Sequence, residues 1–168
     1  MAHGVIIREI PSQDAVNYRF AQHTAALDNG QVIALKELVT GEREIWKVET
    51  PAAGDELWVV TGVELMYDEK KQIGDYTNEA GKPFRCERAV DMTIAISKDA
   101  LVFGTGESTD MVVGAFVVGT AATKLTLKAT TATGDKVYGK VIDVYTRGGI
   151  KFAAIQFAHA VVTATANG

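Results

Sequence analysis

A single cysteine, Cys86, stands in the chain. That excludes an intramolecular disulfide and any multi-cysteine zinc site, and it fits a protein assembled in a reducing cytoplasm. Prolines number only three, and with 47% hydrophobic and 23% charged residues this excludes disordered, collagen-like and coiled-coil classes. No apolar run reaches the roughly 18 to 20 residues of a membrane span. The amino terminus has neither a basic n-region nor a long apolar h-region, so neither membrane embedding nor classical export is expected. Positive charge is in deficit as well. A formal net charge of -4 repels a phosphate backbone and leaves little affinity to counterion release, so nucleic acid is not an expected partner. The acidic excess lies in the first half, with 15 acidic against 10 basic side chains over residues 1–88 and 6 against 7 over residues 89–168.

Helical periodicity is also missing. No segment sustains a 3.6-residue apolar period over more than about four turns, which leaves no support for a helical bundle or a βαβ nucleotide-binding unit. The pattern that is present is short and extended. At 168 residues one domain is expected, residues 28–168, preceded by an extended arm over residues 1–27 in which Val16, Tyr18 and Phe20 alternate as in a strand.

Asp28-Asn29-Gly30 reads as a turn, because Asn and Gly tolerate positive φ, and it leads into a strand over Gln31 to Val39. Thr40-Gly41 ends that strand, and a second through Ile45, Trp46, Lys47 and Val48 completes a hairpin. Leu57 to Val60 is a third strand, with Leu65 and Met66 continuing it after Gly62. Residues 67–88, rich in Asp, Glu, Lys, Gly and Asn, read as a long polar surface excursion anchored by Tyr76 and Phe84. Val90, Met92, Ile94 and Ile96 alternate with more polar residues and predict a half-buried strand. Ser97 is placed to cap one helical turn over Lys98 to Leu101. Further strands are predicted over Met111 to Val118, Thr123 to Thr130, Lys136 to Thr146 and Ile150 to Thr163, where β-branched residues abound. The expected class is mainly β, a barrel or a sandwich, with an extended arm and a long polar loop.

Chemistry-bearing patterns are sparse. Gly104-Thr105-Gly106 is followed by no Lys and lacks the third glycine of a dinucleotide fingerprint, so it reads as a plain connection. His3, His23 and His159 are too far apart in sequence for a local metal motif. No Gly-x-Ser-x-Gly elbow occurs. Cys86 lies among Arg85, Glu87 and Arg88, whose positive members favour a thiolate, but no histidine is near in sequence and a packed thiol is the plainer reading. Asp68, Glu69, Asp75 and Glu79 lack EF-hand order and are interspersed with Lys70, Lys71 and Lys82, as in a solvated loop. Trp46, Trp58 and Tyr67 suit a core or a subunit interface better than sugar stacking. No catalytic residue, cofactor or metal is expected.

Two stretches carry a resemblance. Ala25-Ala26-Leu27-Asp28-Asn29-Gly30-Gln31-Val32-Ile33-Ala34-Leu35 followed by Leu38-Val39-Thr40-Gly41-Glu42-Arg43-Glu44 is the first. Glu64-Leu65-Met66-Tyr67-Asp68-Glu69-Lys70-Lys71 with Asp75-Tyr76-Thr77-Asn78-Glu79-Ala80-Gly81-Lys82-Pro83-Phe84-Arg85 is the second. Over roughly residues 16–103 the chain resembles head-associated structural proteins of tailed bacteriophages, in texture and not in any catalytic motif. The resemblance implies a capsid decoration, or cement, protein on the virion's outer surface, assembled in the host cytoplasm. Its implied partners are the major capsid protein and further copies of itself, a trimer among the arrangements. Capsid contact is then expected from residues 1–27 and 67–88, through Val16, Tyr18, Phe20, Tyr67, Tyr76, Phe84 and Arg85. Deleting residues 1–27 is expected to weaken binding without unfolding the protein. A tail-tube subunit and a small ligand-binding barrel are the alternatives.

Overall fold

A computed structural model describes residues 3–8, 18–62, 73–104 and 110–165. Twelve strands run through them: β1 Ile6–Arg8, β2 Tyr18–Gln22, β3 Val32–Leu38, β4 Ile45–Glu49, β5 Trp58–Val60, β6 Pro83–Arg88, β7 Thr93–Ser97, β8 Leu101–Phe103, β9 Phe116–Val118, β10 Leu125–Lys128, β11 Lys136–Arg147 and β12 Ile150–Thr163. Single 3-10 turns lie at Ile73–Asp75 and Lys98–Ala100. The fold is mainly β, with two bodies. One is a closed barrel in the order β2-β4-β3-β5-β6, and the other is a curled sheet in the order β1-β7-β12-β11-β9-β10-β8. Closure leaves the barrel no open edge for unwanted pairing.

Period-two alternation divides each barrel strand between two environments. Ala21, Ile33, Trp58, Val60, Phe84 and Cys86 turn inward and form one buried cluster with Leu27. Val32, Leu57 and Val59 turn outward and join Ile94, Ile96, Leu125, Val141, Ile155 and Phe157 of the curled sheet in the main core. One side of the barrel is thus covered by the sheet. A smaller cluster of Val5, Ala95 and Phe152 occupies the sheet's other face, with Tyr145 stacked on Phe152 at 5.7 Å between ring centroids.

Several expectations are corrected by this arrangement. The segment 1–27 is extended where described, yet it is not a detached arm: β1 pairs antiparallel with β7, β2 lies between β4 and β6, and Val5 and Ala21 are buried. Deleting it would remove a stave of the barrel and should unfold the protein. The polar excursion 67–88 ends sooner than its charges suggest, because β6 pairs with both β2 and β5 and closes the barrel.

β7 is buried on both faces and not on one. Its small residues Ala95 and Ser97 admit the segment around Val5, whose amide donates to Ser97 Oγ at 2.8 Å. Ser97 therefore holds the amino-terminal strand in place and makes no side-chain cap for the 3-10 turn it precedes. Leu101, read as the end of a helical turn, instead opens β8, which runs parallel to β10.

Candidate interaction surface

β2 places Tyr18, Phe20 and Gln22 on the outside of the barrel and Ala21 within it, since neighbours along a strand point to opposite faces. Across the antiparallel pair with β6, Tyr18 stands opposite Glu87 and Phe20 opposite Arg85. The Tyr18 and Phe20 rings meet edge to face at 5.9 Å. They remain 45% and 42% exposed, an unusual amount for paired aromatic rings in a closed barrel.

At the end of the barrel where β2 begins, β3 finishes and β4 starts, these rings join Arg19, Leu38, Arg43, Glu44 and Trp46 around a concavity of about 490 Å³. Leu38 is 41% exposed. Arg19 lies along its side, with its guanidinium carbon 5.8 Å from the Trp58 ring centroid, so a cation caps the barrel's aromatic interior. Exposed aromatic rings with arginines around a hollow have the composition that dominates binding energy in protein interfaces.

Of the residues expected to touch a capsid, Tyr18, Phe20 and Arg85 share the outer face of β2 and β6. Arg85 is partly engaged within the chain, donating from Nε to Thr61 O at 3.3 Å and lying 3.6 Å from Glu87 Oε1. Phe84 is a correction: directly opposite Ala21 and 6% exposed, it fills the barrel interior and cannot meet a partner. Tyr76 lies apart, its hydroxyl 3.3 Å from Asn78 Oδ1. Val16 and Tyr67 fall outside the described residues. Leu38 and Arg43 stand in the sequence only within the stretch that carries the resemblance and are not among the expected contacts, and Trp46 is expected only as a core or interface residue.

Cys86 is fully enclosed in the barrel. Its desolvation pushes the thiol up to about 12, against the smaller opposing effect of a backbone hydrogen bond to Arg19. The neighbouring arginines do not produce a reactive thiolate. At about pH 8 the native protein should therefore react negligibly with a disulfide exchange reagent, and the unfolded chain should titrate fully; rapid native labelling would mean that the barrel opens readily.

The histidines lie in three separate places. His3 Nδ1 is 2.8 Å from Asp28 Oδ1, His23 Nδ1 accepts from the Ala25 amide at 3.0 Å, and His159 contacts Asp91. Among the described residues no group of three or more His, Cys, Asp or Glu side chains is placed to hold a metal ion. Of the acidic loop, Asp75 and Glu79 are exposed, and Asp68 and Glu69 fall outside the described residues, as does Thr105-Gly106 of the glycine pair.

A second hollow, about 620 Å³, lies on the curled sheet, lined by Phe116, Val137, Phe157 and Val162 together with Asp91 and Lys140. Lys140 Nζ sits 4.7 Å from the Phe116 ring centroid. No protein-family model matches this chain, and neither a curated protein nor a solved structure is significantly similar to it.

Proposed function

We propose that this chain is a virion structural protein that decorates the outer surface of a phage head and stabilises it, with the major capsid protein as its partner. The observation that carries the reading is the exposed hollow of Tyr18, Phe20, Leu38, Trp46 and Arg43 at the end of the barrel where β2 begins. Its exposed aromatic rings and arginines have the chemistry of a protein-binding surface. The partner proposed for that surface rests on the textural resemblance of residues 16–103 to phage head proteins. Binding only to the assembled shell would favour the assembled state by mass action, so many modest contacts suffice.

Co-sedimentation with empty heads of the cognate phage tests the reading. Saturable pelleting is expected only when heads are present; no binding at about 10 μM, a concentration that detects ordinary specific complexes, would reject it. A ligand-binding protein is the second reading, and the hollow beside Phe116 is the observation in its favour. The barrel interior itself is filled by Ile33, Trp58, Val60, Phe84 and Cys86, so a ligand would have to occupy that outer hollow. Ligand-dependent melting in place of pelleting would select this alternative.

A further inference from the structure

We infer that the outer edge of β11, residues 143–147, pairs antiparallel with the same edge of a second copy of this chain across a two-fold axis centred on Tyr145. This interface is separate from the barrel hollow and does not depend on the capsid reading.

β11 has a neighbouring strand on each side for only part of its length. β12 accompanies it throughout, but pairing with β9 stops at Lys140, opposite Phe116. The last backbone contacts on that side are Val141 N to Ala115 O at 2.9 Å and Gly114 N to Val141 O at 2.7 Å. Beyond them, among the described residues, no strand pairs with the outer side of residues 142–147.

Orientation along this edge follows from the hairpin. Arg147 faces Ile150 across the two-residue turn Gly148-Gly149, both glycines having positive φ. The closing pair of such a turn is hydrogen-bonded, so the backbones of Arg147, Tyr145 and Asp143 point toward β12 and those of Thr146 and Val144 point away. One contact agrees: the Val144 amide, pointing outward, donates to the carboxylate of its own neighbour Asp143 at 2.8 Å. A backbone donor in need of a strand is being met by a side chain.

The sequence of the edge is complementary to itself. Antiparallel pairing centred on Tyr145 sets Val144 opposite Thr146 of the partner copy, and these are the residues whose backbone groups point outward, so four ladder hydrogen bonds form. The same register sets Asp143 opposite Arg147 twice, at positions where directly facing side chains lie close. Both residues are exposed, and among the described residues Arg147 makes no ion pair. Asp143 would leave the Val144 amide, which gains the partner's Thr146 carbonyl, and turn to the partner's arginine. Tyr145, already stacked on Phe152, would extend the aromatic row across the axis. Any other register of this segment loses either the charge match or the outward hydrogen-bonding residues.

Sedimentation of the full chain from about 1 μM to about 1 mM should show a reversible monomer–dimer equilibrium. Arg147→Asp places like charges opposite each other twice and should raise the dimer dissociation constant at least about tenfold. The exchanged variant Asp143→Arg with Arg147→Asp restores the pairs and should return the constant to within about threefold of the original. Thr146→Pro deletes an outward amide while sparing the bonds to β12 and should abolish the dimer. Melting curves matching the unsubstituted protein confirm that each variant is folded. A monomer at every concentration, a dimer indifferent to Arg147→Asp and Thr146→Pro, or an exchange that fails to restore association would each overturn the interface.

Discussion

The double substitution of Tyr18 and Phe20 by serine is expected to weaken binding to phage heads by at least about 100-fold while leaving the melting temperature almost unchanged, since buried aromatic anchors carry most interface energy. Both rings stand outside the barrel, edge to face with each other, and nearly half of each is open to solvent. Little native packing is lost when they are cut back. A partner that covers them would lose two large apolar contacts at the rim of the hollow. Phe84→Ala supplies the contrast: its neighbour across the β2–β6 pair is Ala21, it points inward, and its removal leaves a void inside a closed barrel. A loss of about 3 to 5 kcal/mol of stability is expected there, with any binding defect following from unfolding. Retention of head binding by the serine variant would remove the barrel hollow from the proposed contact, and a fall in its melting temperature as large as that of Phe84→Ala would show that the two rings are structural.

The contrast between Phe20 and Phe84 also marks how far the sequence could be read. Alternation in β2 was legible at Tyr18 and Phe20, and turn residues fixed the ends of the β3–β4 and β11–β12 hairpins. β12 spans Ile150–Thr163 as expected, and β11 runs one residue beyond its expected end at Thr146. In β6 the same period was present, with Phe84 and Cys86 inward and Arg85 and Glu87 outward, but the charge density of the preceding residues made the segment read as loop. β7 misled in the opposite way. Its Ala95 and Ser97 pattern as a solvent face because small residues are compatible with either environment, and only the crossing of Val5 decides between them.

The candidate surface was partly legible for a related reason. Tyr18 and Phe20 are local to one strand. Leu38 and Trp46 come beside them only because β2 runs parallel to β4 and β4 pairs with β3, a non-local closure that no local pattern specifies. The self-complementary spacing of Asp143, Tyr145 and Arg147 is written in the sequence, but its meaning depends on which side of β11 lacks a neighbour. Six acidic and seven basic residues in the second half gave no reason to single out one such pair.

Gly139→Ala should be among the most destabilising single substitutions in the chain, costing at least about 3 kcal/mol and lowering the melting temperature by roughly 6 to 12 °C. Gly139 lies inside β11, opposite Val117 of β9 and Phe157 of β12. Here the register shifts: β11 advances from Val137 to Gly139 while its partner on β12 changes from Val162 to Phe157. A glycine within a strand commonly marks such an irregularity or a close backbone approach. Both occur at this position. A methyl group on Gly139 would lie 2.2 Å from Gln156 O and 3.0 Å from the Phe157 Cα, all backbone atoms that no rotamer change can move. Relief requires β11 and β12 to separate at the middle of the curled sheet, where Phe157 and Tyr138 are buried in the main core. Calorimetry of the folded variant is the direct measurement. A shift smaller than about 2 °C, equivalent to under 1 kcal/mol for a chain of this size, would mean that the irregular segment 158–161 relaxes without disturbing the ladder. The close approach of Gly139 to Gln156 would then be incidental to the pairing that holds the β11–β12 hairpin and its outer edge in place.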